Sequence, residues 1–282
     1  MTPPIILDGA KAQAAIQAAL KSRIAGMMQK PTLAIIQVGR REESNAYIAR
    51  KKKFGESIGA SVLHEQFEEN VSTEVLLSKI ARLNADASVH GIIVQLPLPP
   101  ALDKTRIQNA ILPRKDVDGL GEASAHIPAT ARGIAELLAF YGILVRGKKV
   151  AVLGRSALVG APTAELLQKR GAKVTVCHRD TPNTKEITRA SDVIVVAIGN
   201  PHLIDASYFR DDRTQVVVDV GVTAVRKEGF VRLEEEIGKV MLKGDVAFES
   251  VKDKVSAISP VPGGVGPMTV AALFENLLDS IE

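Results

Sequence analysis

A lysine stands on the face of a helix that the apolar pattern assigns to the interior. Residues Glu42–Gly59 read as a helix, with Glu42 and Glu43 placed to favour its positive N-terminal end. At about 100° per residue, with Tyr47 at zero, Phe54 falls at about −20°, Ile58 at about 20°, Lys51 at about 40° and Ser44 at about 60°. Tyr47, Lys51, Phe54 and Ile58 therefore share one stripe, and Lys52 and Lys53 point away from it. Two readings of Lys51 are open. It can snorkel, laying its stem on apolar surface with the amine in water. It can instead sit at a cleft floor, where burial lowers its pKa and prepares it for acid–base chemistry.

Other polar residues stand at places where ligands bind. Gln95 ends the run Gly91–Gln95, and the carboxyl ends of strands are where α/β sheets bind ligands. Its amide can serve a lysine or a substrate heteroatom, or be satisfied by main chain. Asp116 and Asp118 lie in a loop before Gly119. An Asp there either caps a turn or holds the paired N–H donors of a planar heterocycle. Pro260-Val-Pro262-Gly263-Gly264-Val-Gly266-Pro267 packs three Pro and three Gly into eight residues. Such a stiff, bare-backbone loop lets a flat ligand approach main chain.

The second half carries a different chemistry. Val150-Ala-Val-Leu-Gly154-Arg155-Ser156-Ala-Leu-Val159-Gly160 reads as strand, Gly-rich turn and helix. The turn suits either a plain tight connection or a phosphate resting on a helix N-terminus. The next strand, Lys173–Cys177, ends in His178-Arg179, with no carboxylate at its tip. A carboxylate there selects the ribose hydroxyl of NAD, whereas arginine suits the 2′-phosphate of NADP. Arg155 and Arg179 together favour NADP, the alternative being two surface charges. Gly199 follows Val193–Ile198 and Gly221 follows Val216–Val220, so flexible turns stand at two more strand ends.

The elements that must position these residues alternate along the chain. Helices are expected at Ala10–Met28, Glu42–Gly59, Ser72–Asn84, Lys104–Ala110, Thr130–Tyr141, Val159–Arg170, Glu186–Ala190 and Thr269–Ile281. Strands are expected at Leu33–Val38, Ser61–Phe67, Gly91–Gln95, Lys149–Leu153, Lys173–Cys177, Val193–Ile198 and Val216–Val220. Leu112–Pro128 reads as a crossing loop and Ser259–Met268 as a loop. Strands separated by such helices imply parallel sheets with right-handed crossovers. At 282 residues the chain suits one large or two ordinary α/β domains. With 46% hydrophobic and 24% charged residues it is globular and not disordered. No apolar run is long enough to span a bilayer and no signal peptide is expected. One cysteine, Cys177, forbids an intrachain disulfide, and with five His there is no zinc spacing. Without Trp, and with only 4% aromatics, an aromatic nucleic-acid platform is not expected. The net charge of +4 is mostly interspersed, the basic run Arg50–Lys53 apart.

Taken together, these segments closely resemble the bifunctional methylenetetrahydrofolate dehydrogenase/methenyltetrahydrofolate cyclohydrolase family. The carriers are Ser44-x-x-Tyr47-x-x-x-Lys51, Gly91-Ile-Ile-Val-Gln95-Leu-Pro-Leu-Pro99, Lys115-Asp-Val-Asp118-Gly119, Gly154-Arg-Ser-x-x-Val-Gly-x-Pro162, Gly244-Asp245-Val246 and Pro260–Thr269. The resemblance implies two α/β domains flanking a cleft, the second a Rossmann-like NADP-binding domain with a mainly parallel sheet. It implies a folate-binding catalytic domain over 1–122 and 269–282, and an NADP domain over 123–268. The implied reactions are NADP-dependent oxidation of 5,10-methylenetetrahydrofolate to 5,10-methenyltetrahydrofolate, then hydrolysis to 10-formyltetrahydrofolate. These belong to one-carbon metabolism and supply purine biosynthesis. By motif match Lys51 is the acid–base residue, Gln95 tunes it, Tyr47 positions the folate, Asp118 holds the pterin, and Ser44 supports the site. Pro262, Gly263 and Gly264 line the folate pocket. Gly154, Arg155, Ser156, Val159, Gly160, His178, Arg179, Gly199 and Gly221 form the expected cofactor site. A cytoplasmic homodimer without nucleic acid, membrane or metal is the family expectation.

The chain also departs from the family pattern. Pro128-Ala-Thr130-Ala131-Arg-Gly133 replaces a Pro-Cys-Thr-Pro-x-Gly segment, and Ala131 for Pro can loosen the helix start. Gly39-Arg40-Arg41-Glu42 replaces an acidic turn, and its arginines could meet the glutamate tail of folate. The competing readings are a monofunctional NAD(P)-dependent dehydrogenase, a dehydrogenase of hydroxy acids or shikimate-like substrates, and a non-catalytic NADP-binding regulator. The intact Tyr47, Lys51, Gln95 and Asp118 set and the Pro-Val-Pro-Gly-Gly loop argue against all three.

Overall fold

A computed structural model describes residues 3–226 and 240–281. The chain divides into two compact units, Gln13–Arg132 with Thr269–Glu282, and Met1–Ala12 with Gly133–Met268. Among the described residues no helix is long and apolar enough to cross a membrane.

The first unit is built on a parallel three-stranded sheet of β2 (Thr32–Val38), β3 (Ser61–Phe67) and β4 (Gly91–Val94), ordered β3-β2-β4. β2 is buried on both faces, so Leu33–Ile36 reads as a continuous apolar run, followed by the buried Gln37. Its side chains divide by the two-residue period of a strand. Leu33 and Ile35 join a core with Ile48, Phe54 and Ile58 of α2 (Glu42–Ile58), Leu20 and Ile24 of α1 (Gly9–Ala25), and Val270–Leu278 of the last helix. Ala34, Ile36 and Val38 join a second core with α3 (Thr73–Ala85) and α4 (Lys104–Asn109). Ser72 caps α3 by accepting from Val75 N at 3.4 Å, which satisfies one free N–H of its first turn. Gly55 permits a close approach in this unit. A Cβ there would stand 2.9 Å from the ring of Phe274, which packs on Phe54 at 5.3 Å between centroids.

The second unit carries β1 (Ile5–Ile6), α5 (Ala129–Phe140, from Gly133), β5 (Lys149–Leu153), α6 (Gly160–Lys169), β6 (Lys173–Cys177), α7 (Thr184–Arg189), β7 (Val193–Val196), β8 (Val216–Asp219), β9 (Thr223–Arg226), β10 (Val240–Lys243), α8 (Phe248–Val251) and β11 (Ala257–Ile258). Six strands form one sheet in the order β1-β11-β8-β7-β5-β6, every pair parallel, and β9 and β10 form a separate antiparallel pair. From β5 the chain crosses outward to β6, then returns to β7 on the other side of β5. The strand order therefore reverses between β5 and β7, which puts a ligand crevice at their C-terminal ends.

Three differences from the sequence expectation have physical causes. Residues 1–12 fall in the second unit, not with the first half, because Ile5 and Ile6 add to β11. The helix α9 (Val265–Asp279) begins four residues before the expected Thr269, inside the presumed loop. Pro267 lies in its first turn, where a missing N–H costs nothing. The strands β1 and β11, of two residues each, are too short to show a period of two.

Candidate active site

Lys51 is buried, 7% exposed, on α2. Its stripe holds Ser44, Ile48, Phe54, Gly55 and Ile58 as buried neighbours, while Tyr47 is half-buried at the edge. The Lys51 amine does not reach water along a snorkelling path. Its Nζ donates to Gln95 Oε1 at 2.9 Å. Gln95 Nε2 donates to Leu96 O at 2.8 Å, which leaves the amide oxygen turned to the lysine. Burial lowers the Lys51 pKa, and the nearby Asp118 charge opposes that shift. Burial likewise raises the Asp118 pKa, with Lys51 pulling it down and Asp116 pushing it up. Desolvation thus pushes both groups towards neutrality against their mutual attraction.

The two aspartates of the loop divide the roles left open by the sequence. Asp116 is a turn cap: its carboxylate accepts from Gly119 N at 3.2 Å and Gly121 N at 2.7 Å. The Asp118 carboxylate accepts no hydrogen bond from any described residue, so it is free to bind a ligand. The loop is fastened at both ends. Lys115, which the sequence reading did not single out, is buried and donates to Leu83 O, Asn84 O and Asp86 O at 3.1, 2.9 and 2.7 Å. It thereby neutralises the carbonyl end of α3. Asn276 on α9 donates to Val117 O and Ile127 O, both at 2.9 Å. Over Tyr47 lies the Arg50 guanidinium, 5.6 Å from the ring centre. On the opposite flank of α2, a cavity of about 340 Å³ is lined by Gln37, Arg40, Asn45, Lys52, His64 and Gln66, among others. Arg40 already pairs with Glu68 at 3.3 Å in an exposed ion pair.

In the second unit the turn after β5 is shaped for close approach. Gly154 has φ of 115°, and a Cβ there would lie 2.1 Å from Ala197 O at the end of β7. A Cβ on Gly160 would lie 2.2 Å from Gly154 O, so the pair lets α6 start directly beside the turn. Ser156 Oγ accepts from Val159 N at 3.3 Å and Gly160 N at 3.4 Å. Arg155, Ser156 and Ala157 are exposed. Among the described residues nothing accepts from their main-chain N–H groups, which suits a phosphate there. Arg155 and the exposed Arg179 form no ion pair among the described residues. Two unpaired guanidiniums at adjacent strand ends fit a phosphate dianion. His178 is turned inward to its own loop: its Nδ1 accepts from Asp180 N at 3.3 Å. Gly199 is open, with φ of 79° and nothing near a Cβ position. Gly221 is instead buried against the Asp245 carboxyl. Two glycines of the Pro260–Pro267 turn have structural reasons of their own. Gly263 has φ of 110° and its carbonyl accepts from Gly9 N at 2.8 Å, and a Cβ on Gly264 would meet Pro260 O at 2.7 Å. Pro262 is exposed.

One unit with a reversed parallel sheet and a bare phosphate turn, and another with a buried lysine–amide–carboxylate centre, define a nucleotide-dependent two-domain enzyme. Residues 7–118 match the tetrahydrofolate dehydrogenase/cyclohydrolase catalytic domain, and residues 128–282 match the NAD(P)-binding domain of the same proteins. The chain belongs to the tetrahydrofolate dehydrogenase/cyclohydrolase family. It is 38% identical over 291 residues to the bifunctional protein FolD of Rickettsia typhi, covering 98% of this chain and 97% of that protein. It is 41% identical over 262 residues to the mitochondrial C-1-tetrahydrofolate synthase of Schizosaccharomyces pombe, covering 89% of this chain. There the chain spans only 26% of the longer protein. The structure of the Trypanosoma brucei methylenetetrahydrofolate dehydrogenase-cyclohydrolase complexed with NADP cofactor and inhibitor superposes with a TM-score of 0.91 at 35% identity, covering 99% of this chain and 98% of that one.

Proposed function

We propose that this chain oxidises 5,10-methylenetetrahydrofolate with NADP⁺ and hydrolyses the resulting 5,10-methenyltetrahydrofolate to 10-formyltetrahydrofolate. The observation that carries this reading is the buried Lys51 amine held by Gln95 at 2.9 Å, in the field of the unbonded Asp118 carboxylate. Bound NADP⁺ supplies the hydride acceptor. Arg155 and Arg179 hold its 2′-phosphate, and the Gly154–Gly160 turn, Val159 included, holds its diphosphate. Gly199 lies beside the crevice, whereas Gly221 and His178 support its rim. Asp118 accepts from the paired N–H groups of the pterin, Tyr47 offers a flat face, and Ser44 and the Pro262–Gly264 turn complete folate binding.

Hydrolysis needs a base and then an acid. The depressed Lys51 pKa provides a neutral amine that takes a proton from water as its oxygen bonds to the methenyl carbon. The lysine then returns that proton to the ring nitrogen as its bond to the carbon breaks. Loss of the hydroxyl proton leaves the formyl group, so the net reaction consumes water and releases one proton. We also infer a homodimer acting in one-carbon metabolism, in the cytoplasm, with formyl groups passing to purine synthesis.

A paired assay tests the reading. Wild type should produce NADPH and then consume the methenyl product. Lys51→Met should lose hydrolysis. A chain that forms NADPH but never consumes methenyl product is a monofunctional dehydrogenase.

A further inference from the structure

Two carboxyl groups are buried together at the C-terminal edge of the second unit's sheet. Asp219 ends β8 and is 3% exposed, and Asp245 is fully buried. Asp245 Oδ2 accepts from Ile198 N at 2.6 Å and Gly199 N at 2.8 Å, the turn that follows β7. Asp219 Oδ1 accepts from Gly221 N and Asp245 N, both at 3.1 Å, and its Oδ2 accepts from Val246 N at 2.9 Å. The two side chains therefore tie together the turn after β7, the turn after β8 and residues 244–246.

The surrounding backbone is cut to fit them. A Cβ on Gly221 would stand 2.1 Å from Asp245 Cγ, and one on Gly244 would stand 2.0 Å from Asp219 Oδ2. Burying two carboxylates without a cation is costly. Among the described residues no cationic side chain bonds either group. The groups that bond them among the described residues are the main-chain N–H groups just named, while the Ser259 hydroxyl accepts from the main-chain N–H of Asp219 at 2.8 Å. Asp245 Oδ1 is buried with no hydrogen-bond partner. Burial, with the Asp245 charge adding to it, pushes the Asp219 carboxyl up to about 7. A proton on Asp219 relieves the repulsion between the two buried carboxyl groups.

The turn so held borders the crevice between β5 and β7, and it is linked to the phosphate turn. Ala197 O is the atom against which Gly154 packs. We propose that Asp219 and Asp245 are positioning residues of the dinucleotide site, fixing the Ile198–Gly199 turn at its crevice. This rests on the NADP reading above. Loss of the Asp219 proton restores that repulsion, so the turn loosens and NADP affinity falls as pH rises through about 7.

The experiment combines NADP titration between pH 6 and 8.5 with hydrogen exchange at the 198 and 199 amides of the ligand-free chain. Asp245→Ala should raise the NADP Kd about tenfold or more, the value of one lost charged hydrogen bond. It should also expose both amides to exchange, with the folate KM unchanged. Asp245→Asn can keep its oxygen on the two N–H groups and turn its NH₂ to Asp219. It should retain affinity at pH 6.5 and abolish the rise in Kd above pH 7. Wild-type affinity in Asp245→Ala, or an unchanged pH dependence in Asp245→Asn, overturns the inference alone. A wild-type chain that binds no NADP overturns the cofactor reading and this inference with it.

Discussion

Replacing Gln95 changes the charge state of Lys51 in a direction that can be worked out beforehand. Gln95 Oε1 accepts from Lys51 Nζ at 2.9 Å inside a buried site. A hydrogen bond to an ammonium is worth about 1.5–3 kcal/mol, against about 1 kcal/mol for a neutral pair. Gln95→Leu therefore withdraws about 0.5–2 kcal/mol more from the charged than from the neutral lysine. That is roughly a tenfold gain in neutral amine at fixed pH below the acid limb. Burial already lowers this pKa, and losing the acceptor lowers it further. The acid limb of the hydrolysis profile should move to lower pH, even if the plateau falls through lost positioning. Gln95→Glu works the other way, because a carboxylate favours the ammonium, so the limb should move to higher pH. The assay follows loss of the methenyl absorbance under single turnover from pH 5 to 9. Limbs that stay in place, or that shift the same way in both variants, would refute the role given to the Lys51–Gln95 pair.

Three further outcomes follow from the structure. Phe274→Ala should cost about 3–5 kcal/mol in urea unfolding, because Phe274 is fully buried against Phe54 and Gly55. Arg155→Ala and Arg179→Ala should each raise the KM for NADP⁺ by about tenfold or more and leave NAD⁺ use nearly unchanged, since each removes a charge-assisted bond to the 2′-phosphate. Replacing both Arg40 and Arg41 with Ala should raise the folate KM at low salt and blunt its salt dependence. An unchanged KM would sink the idea that these arginines meet the glutamate tail, and Arg40 is already partly committed to Glu68.

The alternation of β2, α2, β3, α3 and β4 was legible because short strand-like runs bounded by breakers alternate with helical repeats, as was the run from β5 to β8. The placing of Lys51 on the inward face needed only the 3.6-residue repeat. The depth of that face did not follow from it. Burial of the amine depends on β4 bringing Gln95 within 2.9 Å, across 44 positions of sequence. The two aspartates of one loop looked alike in sequence. Only the fold made Asp116 a cap and left Asp118 unbonded, because main-chain N–H groups converge on one carboxylate and not the other.

Local pattern was silent wherever the deciding contact is long-range. Ile5 and Ile6 joined the second unit because the edge of β11 was open to them, and two residues carry no period. Lys115 stood in a quoted segment without a role of its own, and only the fold closes three carbonyls at the end of α3 around it. Gly221 read as a ligand turn, whereas its missing side chain makes room for Asp245, 24 residues on. By itself the sequence determined the element types, the family and the residue kinds at strand ends, since these depend on neighbours within a few turns of chain. The tertiary structure alone decided which charges are buried, which are paired and which glycines serve packing, because desolvation and steric exclusion depend on groups brought together from distant parts of the chain.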